Sequence, residues 1–215
     1  MERKNISTDI LLMGEISNNN DWYSISRNYY FTDEQIYSFR DKIHFYFYLK
    51  NNNKMPNISI IEKILDDNNL VLKEEDNIII SEIYGVNNFE FIKKYKDKLH
   101  VARVLYLSKF KISEVLQLIE LPKVGDGVSI AYGSDSEPYT IIDVNKSGTK
   151  IAIQRDNAEP ADGYDYYSNQ VYNYTRNPNG KIEYASLRKN GMYKIIHSNT
   201  KVHRVGRKKY QNPSF

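Results

Sequence analysis

Basic side chains dominate the C-terminal part of the sequence in a form that suits an anionic partner. Between Leu187 and Tyr210 there are eight lysines and arginines, and no acidic residue follows Glu183. Arginine presents a planar fork that binds phosphate or carboxylate at two points. Strand spacing can place such forks beside aromatic faces, as phosphates and stacked bases require. We therefore predict an anionic-partner site at Arg176, Arg188, Lys194, Arg204, Arg207 and Tyr193.

The same block of charge also fits a solvated edge strand that lysines protect from pairing, and this alternative stays open. Changing Arg204 and Arg207 to glutamate separates the two interpretations. If the block is a binding site, the reversal is expected to abolish binding and to leave thermal stability nearly unchanged.

A second candidate site is the loop of residues 156–167, the longest interruption of the β-rich half. It contains four carboxylates and three tyrosines. Long loops on rigid sheets are where binding residues tend to lie, although a flexible, tolerated loop is the alternative. The spacing matches neither a calcium loop nor a carboxylate pair with acid and base roles. The candidate recognition residues are Asp162, Tyr164, Tyr166 and Tyr167.

No pattern in the sequence indicates catalysis. The absence of cysteine excludes disulfides and thiolate nucleophiles. His44 and His100 lack ligand partners at metal-binding spacing, and we expect them to bond carbonyls at helix ends. The stretch Val124–Val128 lacks the spacing and the lysine of a phosphate loop, so we interpret it as a turn that enters a strand. We predict a protein that is not an enzyme and has neither cofactor nor metal.

The N-terminal half repeats itself. Residues 34–44 and 90–100 share Glu, Ile, an aromatic residue, Asp-Lys, an aliphatic residue and His at an offset of 56. Apolar residues at i, i+3 and i+4 spacing mark a buried helical face, and Thr32 and Asn57 are cap signals. We predict about four short stacked helices, with extended segments at Trp22–Ser26 and Ile78–Ile83.

After Leu121-Pro122 the apolar period changes to two, which predicts seven short strands. Three turn segments separate them, and in two of these an Asn-Gly pair favours a type I′ hairpin. They are Lys146–Gly148, Asn177–Gly180 and Lys189–Gly191. The predicted class is α+β: a helical-repeat domain over 1–121, then an antiparallel, SH3-like small β-barrel or meander over 122–215.

Both halves resemble viral proteins. The pattern of Ile25-Ser26 followed by a capped helix that ends in Phe-x-Asp-Lys-aliphatic resembles degenerate helical repeats of phages and large DNA viruses. Residues 123–215 resemble a small domain of tailed phages in Val124–Gly127, Ser186–Gly191 and Tyr210–Phe215. These resemblances imply a phage or mobile-element origin and a scaffold role, and they imply no activity.

The combined prediction is a non-enzymatic accessory protein that binds a host component, as an anti-defence or host-takeover factor in the host cytoplasm. Its partner would be a host protein or an anionic ligand, either nucleotide or nucleic acid. A nucleic-acid-binding protein and a virion structural or assembly protein are the alternatives. No apolar stretch reaches the ~20 residues that span a bilayer, so no membrane partner is expected.

Overall fold

The computed structural model of the protein describes residues 4–5, 19–51 and 55–214. The chain divides into two compact units, Met1–Lys109 and Phe110–Phe215, which we call the helical unit and the β unit. The predicted mixture of helices and an antiparallel barrel is confirmed. The boundary predicted after residue 121 lies inside the β unit, because the last helix of the chain belongs to that unit.

The described part of the helical unit has seven α-helices. The sequence predicted about four helices over residues 1–121. The helices of the structure are α1 (Asn19–Asn28), α2 (Asp33–Ser38), α3 (Phe45–Lys50), α4 (Ile58–Asp66), α5 (Glu74–Ile80), α6 (Phe89–Lys94) and α7 (Val101–Leu107). A π-helical turn, Ser81–Gly85, continues α5. The two-residue strands β1 (Lys4–Asn5) and β2 (Tyr29–Tyr30) pair in parallel.

The two segments that were predicted to be extended are helical, so that prediction was wrong. Within α1, Trp22 and Ser26 are buried four residues apart, and α5 buries Asp76, Ile79 and Ile80. This spacing places the buried side chains on one face of each helix. The β-branched run at residues 78–80 misled the prediction, because burial against neighbouring helices outweighs the weak intrinsic preference of isoleucine for strands.

The helices of this unit alternate between two rows. Helix α1 packs on α3, α3 packs on α5, and α7 packs on the π-helical turn, while α2 packs on α4. Tyr95, which ends α6, donates a 3.3 Å hydrogen bond to the carbonyl of Glu62 in α4. Each helix is too short to bury its apolar face alone, so stability depends on the neighbours in the row.

In the two copies found in the sequence, a capping side chain lies at the same position before the helix. Thr32 Oγ1 accepts a 3.2 Å bond from the N–H of Gln35 at the start of α2. Asn88 Oδ1 accepts a 3.1 Å bond from the N–H of Phe91 at the start of α6. These bonds satisfy backbone donors that the first helical turn leaves free. The helix start that was predicted at Thr32 is confirmed.

Each copy also joins a buried serine to the N-cap residue of a later helix. The N–H of His44 donates to Ser26 Oγ at 3.1 Å across 18 residues, and the N–H of His100 donates to Ser81 Oγ at 2.9 Å across 19. The second copy therefore has one more residue between the serine and the histidine than the first copy has. The π-helical turn at Ser81–Gly85 lies within this interval and accommodates the extra residue. Both histidines are the N-cap residues of a helix, whereas the expected partners, the carbonyls that a helix leaves free, lie at its C-terminal end.

Asp76, in the first turn of α5, caps the adjacent helix α3. Its Oδ1 accepts a 2.7 Å hydrogen bond from the N–H of Tyr46, the second residue of α3. Burial raises the pKa of this carboxyl above its ordinary value. A raised carboxyl pKa means that folding favours the neutral acid. The resulting stabilisation is present at acid pH and is lost as pH rises through the folded-state pKa.

We therefore expect Asp76→Asn, which keeps an oxygen acceptor without the charge, to gain stability relative to the wild-type chain as pH rises from acid to neutral. Asp76→Ala, which removes the acceptor, is expected to lower the free energy of unfolding by about 1 kcal/mol. Urea unfolding at a series of pH values measures both effects. A stability difference between Asp76→Asn and wild type that stays constant with pH would contradict the role given to the buried carboxyl.

The β unit begins with α8 (Ile112–Leu118) and continues in eight strands. They are β3 (Gly127–Tyr132), β4 (Asp135–Val144), β5 (Lys150–Arg155), β6 (Asn157–Pro160), β7 (Tyr172–Thr175), β8 (Ile182–Leu187), β9 (Tyr193–Ile195) and β10 (Lys201–His203). Six of them close an antiparallel barrel in the order β10-β3-β4-β5-β8-β9. Alternate residues such as Ala185 and Leu187 are buried in the barrel core.

The remaining two strands, β6 and β7, form a separate antiparallel pair. Strand β7 was predicted as one of seven strands in a single sheet, and β6 lies where a loop was predicted. The segment between them, residues 161–171, is the longest connection between consecutive strands of the β unit. It leaves from this small sheet and not from the barrel itself.

Neither predicted Asn-Gly turn is of type I′, which requires positive φ at both central residues. In Lys189–Gly191 only Gly191 has positive φ, at 75°. In Asn177–Gly180, which links β7 to β8, the glycine is needed for another reason. A Cβ on Gly180 would lie 2.0 Å from the carbonyl oxygen of Arg155, so only glycine allows the two backbones to approach this closely.

Candidate functional site

Tyr193, one of the predicted anion-binding residues, lies inside the barrel. Its side chain is fully buried and its hydroxyl donates to the carbonyl of Gly148. Burial raises the pKa of this hydroxyl. Tyr193 is therefore a core residue that no partner can reach. The prediction failed because strand alternation shows which residues of β9 share a face, but it does not show which of the two faces points into the barrel.

Arg176 and Arg207, predicted to await an anionic partner, both bind the buried carboxylate of Asp156. Arg207 Nε lies 2.8 Å from Asp156 Oδ2, and Arg176 Nη1 lies 3.1 Å from Oδ1. Thr140 adds a 2.5 Å hydrogen bond from its hydroxyl to the same carboxylate. The side chain of Asp156 has no exposed surface, so its charge depends on these partners.

This buried cluster overturns one expectation directly. The joint reversal of Arg204 and Arg207 to glutamate was expected to leave thermal stability nearly unchanged. Instead it would place a second carboxylate beside Asp156 and remove one of the two guanidiniums that neutralise it. Arg207 thus stabilises the fold, and its charge cannot be reversed to test binding alone.

The remaining predicted cations face solvent. Arg188 is exposed beside the β8–β9 turn, and Arg204 is half-buried, with Nη1 donating at 2.5 Å to the carbonyl of Glu120. Of the eight basic residues between Leu187 and Tyr210, Arg207 and Lys209 are ion-paired. The other six form no ion pair within the described part of the chain. They are Arg188, Lys189, Lys194, Lys201, Arg204 and Lys208.

Three lysines line up across the outside of the barrel. The strand register pairs Lys150 with Ser186, Ser186 with Lys194, and Lys194 with Lys201. Their neighbours Ile151, Leu187, Tyr193 and Val202 are buried, so all four side chains of this row point outward. We call this row, Lys150-Ser186-Lys194-Lys201, the basic sheet face.

An aromatic ring lies beside the basic sheet face. Tyr184 is two residues before Ser186 on β8, on the same outward side, and 60% of its surface is exposed. A diagonal neighbour on the adjacent strand is about 7–8 Å away at the Cα atoms, within reach of a long side chain. Lys194, opposite Ser186, is such a neighbour. Lys150 was not among the residues predicted from the sequence, because only the register brings β5 beside the basic C-terminal strands.

The predicted recognition loop is ordered by its own hydrogen bonds. Asp165 Oδ1 accepts from the N–H groups of Tyr167 and Ser168 at 2.7 and 3.0 Å, and these bonds hold its pKa below the usual range. The ring of Tyr164 packs on that of Tyr172, 5.2 Å away between centroids. Asp162 is exposed in the turn before Gly163. Tyr164 thus packs within the loop region, whereas Asp162 is free to meet solvent.

Two of the predicted loop residues line a pocket of about 220 Å³ together with the C-terminal segment. Tyr166 and Tyr167 come from the loop, Tyr174 from β7, and Lys208 and Tyr210 from the segment after β10. We call these five residues the tyrosine pocket. No pattern in the sequence predicted that the loop and the C-terminal segment meet, since they lie far apart along the chain.

Comparison of the chain with protein-family models, curated proteins and solved structures finds no match. The resemblances to viral and phage proteins therefore stay predictions, and function must be argued from the geometry. Among the described residues, no group of three or more His, Asp or Glu side chains could hold a metal ion. The described helices are all too short or too polar to cross a bilayer.

Proposed function

We propose that the protein is a nucleic-acid-binding protein whose β unit contacts a single strand through the basic sheet face. The observation that carries this proposal is the direct pairing of Lys194 with Lys201, with Lys150 in the same row. Lysines on such a row can follow a phosphate backbone, and Tyr184 offers a ring on which a base can stack.

The energetics of the row support a binding role over simple solvation. Like charges directly opposite on paired strands are destabilising, by a few tenths of a kcal/mol to about 1 kcal/mol. An edge strand needs lysine protection, but β9 and β10 are both paired on two sides within the closed barrel. Protection of an edge therefore does not account for two adjacent lysines here. An external anion lying across the row would relieve the repulsion.

The finer predictions from the sequence stay predictions, and the strand-binding proposal does not depend on them. These are the SH3-like identity of the barrel, the repeat count, the phage origin, and the host-takeover role in the host cytoplasm. The virion alternative needs an assembly surface, for which the described helical unit offers no specific observation. The strand-binding proposal requires none of them, because it depends on the charges and register of the β unit alone.

The test uses a single charge reversal that should affect binding and stability in opposite directions. Lys201→Glu places a carboxylate opposite Lys194, so we expect the free energy of unfolding to rise by about 0.2–1 kcal/mol. The same change removes one cation from the row and adds an anion. We therefore expect the variant to elute from immobilised heparin, and from immobilised single-stranded DNA, at clearly lower salt than wild type.

Lys63→Glu is the matched control, since it changes the net charge equally at an exposed position of α4. It should elute close to the wild-type salt concentration. If both variants elute at the same salt concentration, retention reports net charge alone and the basic sheet face is not the binding site. If Lys201→Glu elutes with wild type, the proposal fails as well.

A further inference from the structure

The tyrosine pocket is a separate feature of the β unit whose chemistry differs from that of the basic sheet face. We propose that it is a binding site for a nucleotide, with the base lying against the tyrosine rings and the phosphate on Lys208. This goes beyond strand binding on the basic sheet face, because the pocket shares no residue with it and can be tested independently.

The walls of the pocket are held in place before any ligand binds. The side chain of Gln170 donates to the carbonyls of Tyr166 and Gln211 at 2.8 and 2.5 Å and accepts from the N–H of Gln211 at 2.8 Å. The N–H of Lys209 donates to the hydroxyl of Tyr174 at 2.9 Å. The loop and the C-terminal segment are thus fastened to each other, which lowers the entropy cost of binding.

The same C-terminal segment is also paired to the barrel. Tyr210 exchanges two backbone hydrogen bonds with Ser136 of β4, at 2.9 and 3.0 Å. Asn212 donates from its N–H to Asp135 Oδ1 at 2.8 Å. A segment with this many bonds is a fixed wall, so the position of Lys208 beside the rings follows from the fold and not from a flexible tail.

An aromatic ring is left uncovered in this ordered setting. Tyr167 is 80% exposed although its backbone N–H is held by a hydrogen bond to Asp165. The ring of Tyr166 meets it at 82° with centroids 5.2 Å apart, an edge contact that leaves ring surface open. Such a ring can stack against a flat group, and base–aromatic stacking contributes about 1–3 kcal/mol per base.

The charges of the pocket select the sign of the ligand. Tyrosine-lined sites also bind quaternary ammonium groups, through the negative faces of the rings. Among the described residues that line the pocket there is no carboxylate, while Lys208 and Lys209 both line it. Lys209 is ion-paired with Glu137, which also binds Arg155, and Lys208 Nζ lies 5.9 Å from the centre of the Tyr210 ring. A cationic ligand would meet an uncompensated lysine, so the site suits a flat group that carries an anion.

The volume of about 220 Å³ limits what enters the pocket. It accommodates a single ring system and leaves the sugar and phosphate at the mouth. Nucleotides combine these two parts, as a free monophosphate or as one unit of a strand. Both sources offer the same chemistry to the pocket, and they differ in whether neighbouring nucleotides add affinity.

Calorimetric titration with the four common nucleoside 5′-monophosphates, their parent nucleosides and a short single-stranded DNA tests the proposal. We expect at least one monophosphate to bind, and Tyr167→Ala to weaken it by about tenfold without a shift in melting temperature. Tyr167→Phe, which keeps the ring, should bind like wild type. Lys208→Ala should weaken the monophosphate and leave its nucleoside unchanged. Tyr106→Ala, at an exposed tyrosine of α7 that belongs to neither the pocket nor the basic sheet face, is the matched control.

If the DNA binds more tightly than every monophosphate and Tyr167→Ala still weakens that binding, the pocket is supported and its ligand is one unit of a nucleic-acid strand. If the DNA binds no more tightly than the best monophosphate, the pocket is supported and its ligand is the free nucleotide. Absence of binding by all monophosphates and by DNA overturns the proposal, as does binding that Tyr167→Ala does not change. Loss of heparin retention in Lys201→Glu with normal monophosphate binding would show that the two sites act separately.

Discussion

Replacing Asp156 by alanine is expected to lower the free energy of unfolding of the β unit by about 3 kcal/mol. The change leaves the guanidiniums of Arg176 and Arg207 and the hydroxyl of Thr140 without their shared acceptor. Removing one partner of a buried ion pair typically costs about 3–5 kcal/mol. Because both arginines are partly exposed, the lower end of that range applies.

Asp143→Ala serves as the control for this loss, because Asp143 is an exposed carboxylate of the same unit, on β4. Its replacement should change stability by less than about 0.5 kcal/mol. Chemical unfolding followed by circular dichroism measures both variants. A cost below about 1 kcal/mol for Asp156→Ala would mean that the cluster is solvated and that Arg207 is available to a partner after all.

In the helical unit, Ile36→Ala and Ile92→Ala are each expected to cost about 2–4 kcal/mol, through lost burial and a residual cavity. Ile36 and Ile92 occupy equivalent positions of the two copies, and their side chains are almost completely buried. Thermal or urea unfolding of the two variants measures the cost, and the two values should be similar.

Lys93→Ala is the control for the helical phase, since Lys93 follows Ile92 directly and faces solvent. It should cost less than about 0.5 kcal/mol. A cost for Lys93→Ala that matches the cost for Ile92→Ala would show that the buried face of α6 has been assigned to the wrong residues.

The sequence predicted the repeated helical features because they depend on local spacing. The caps at Thr32 and Asn57 and the buried faces of α2 and α6 follow from residues within one or two turns. Helices α1 and α5 were missed because their burial depends on neighbouring helices. The role of Ser26 was also missed, although the Ile-Ser pair recurs, since its partner lies 18 residues away.

In the β unit, the alternation of apolar and polar residues predicted that strands exist, but it did not predict which of them belong to the barrel and which to the separate two-stranded sheet. Strand β7 has the same alternation as the barrel strands, and only its pairing with β6 removes it from the barrel. Gly180 shows a related limit. A glycine can be required by a positive φ or by a close contact, and the Asn-Gly signal cannot distinguish a hairpin from the contact with Arg155.

The candidate sites depended even more on long-range structure. The sequence identified the block of positive charge, but the register decides which cations share a face, and a buried carboxylate decides which are neutralised. Asp156 was counted among the loop carboxylates, while its partner Arg207 lies 51 residues away. Gln170 and Gln211, which join the two halves of the tyrosine pocket, are separated by 41 residues.

The central claim is that the lysines of the basic sheet face contact phosphates. Its most direct test is the salt dependence of binding to a short single-stranded DNA, compared between wild type and the Lys194→Ala/Lys201→Ala variant. Each phosphate contact contributes about −0.7 to the slope of log K against log salt concentration, so the loss of two contacts should flatten the slope by about 1.4. Equal slopes for the two proteins, or no binding by wild type, would contradict the claim.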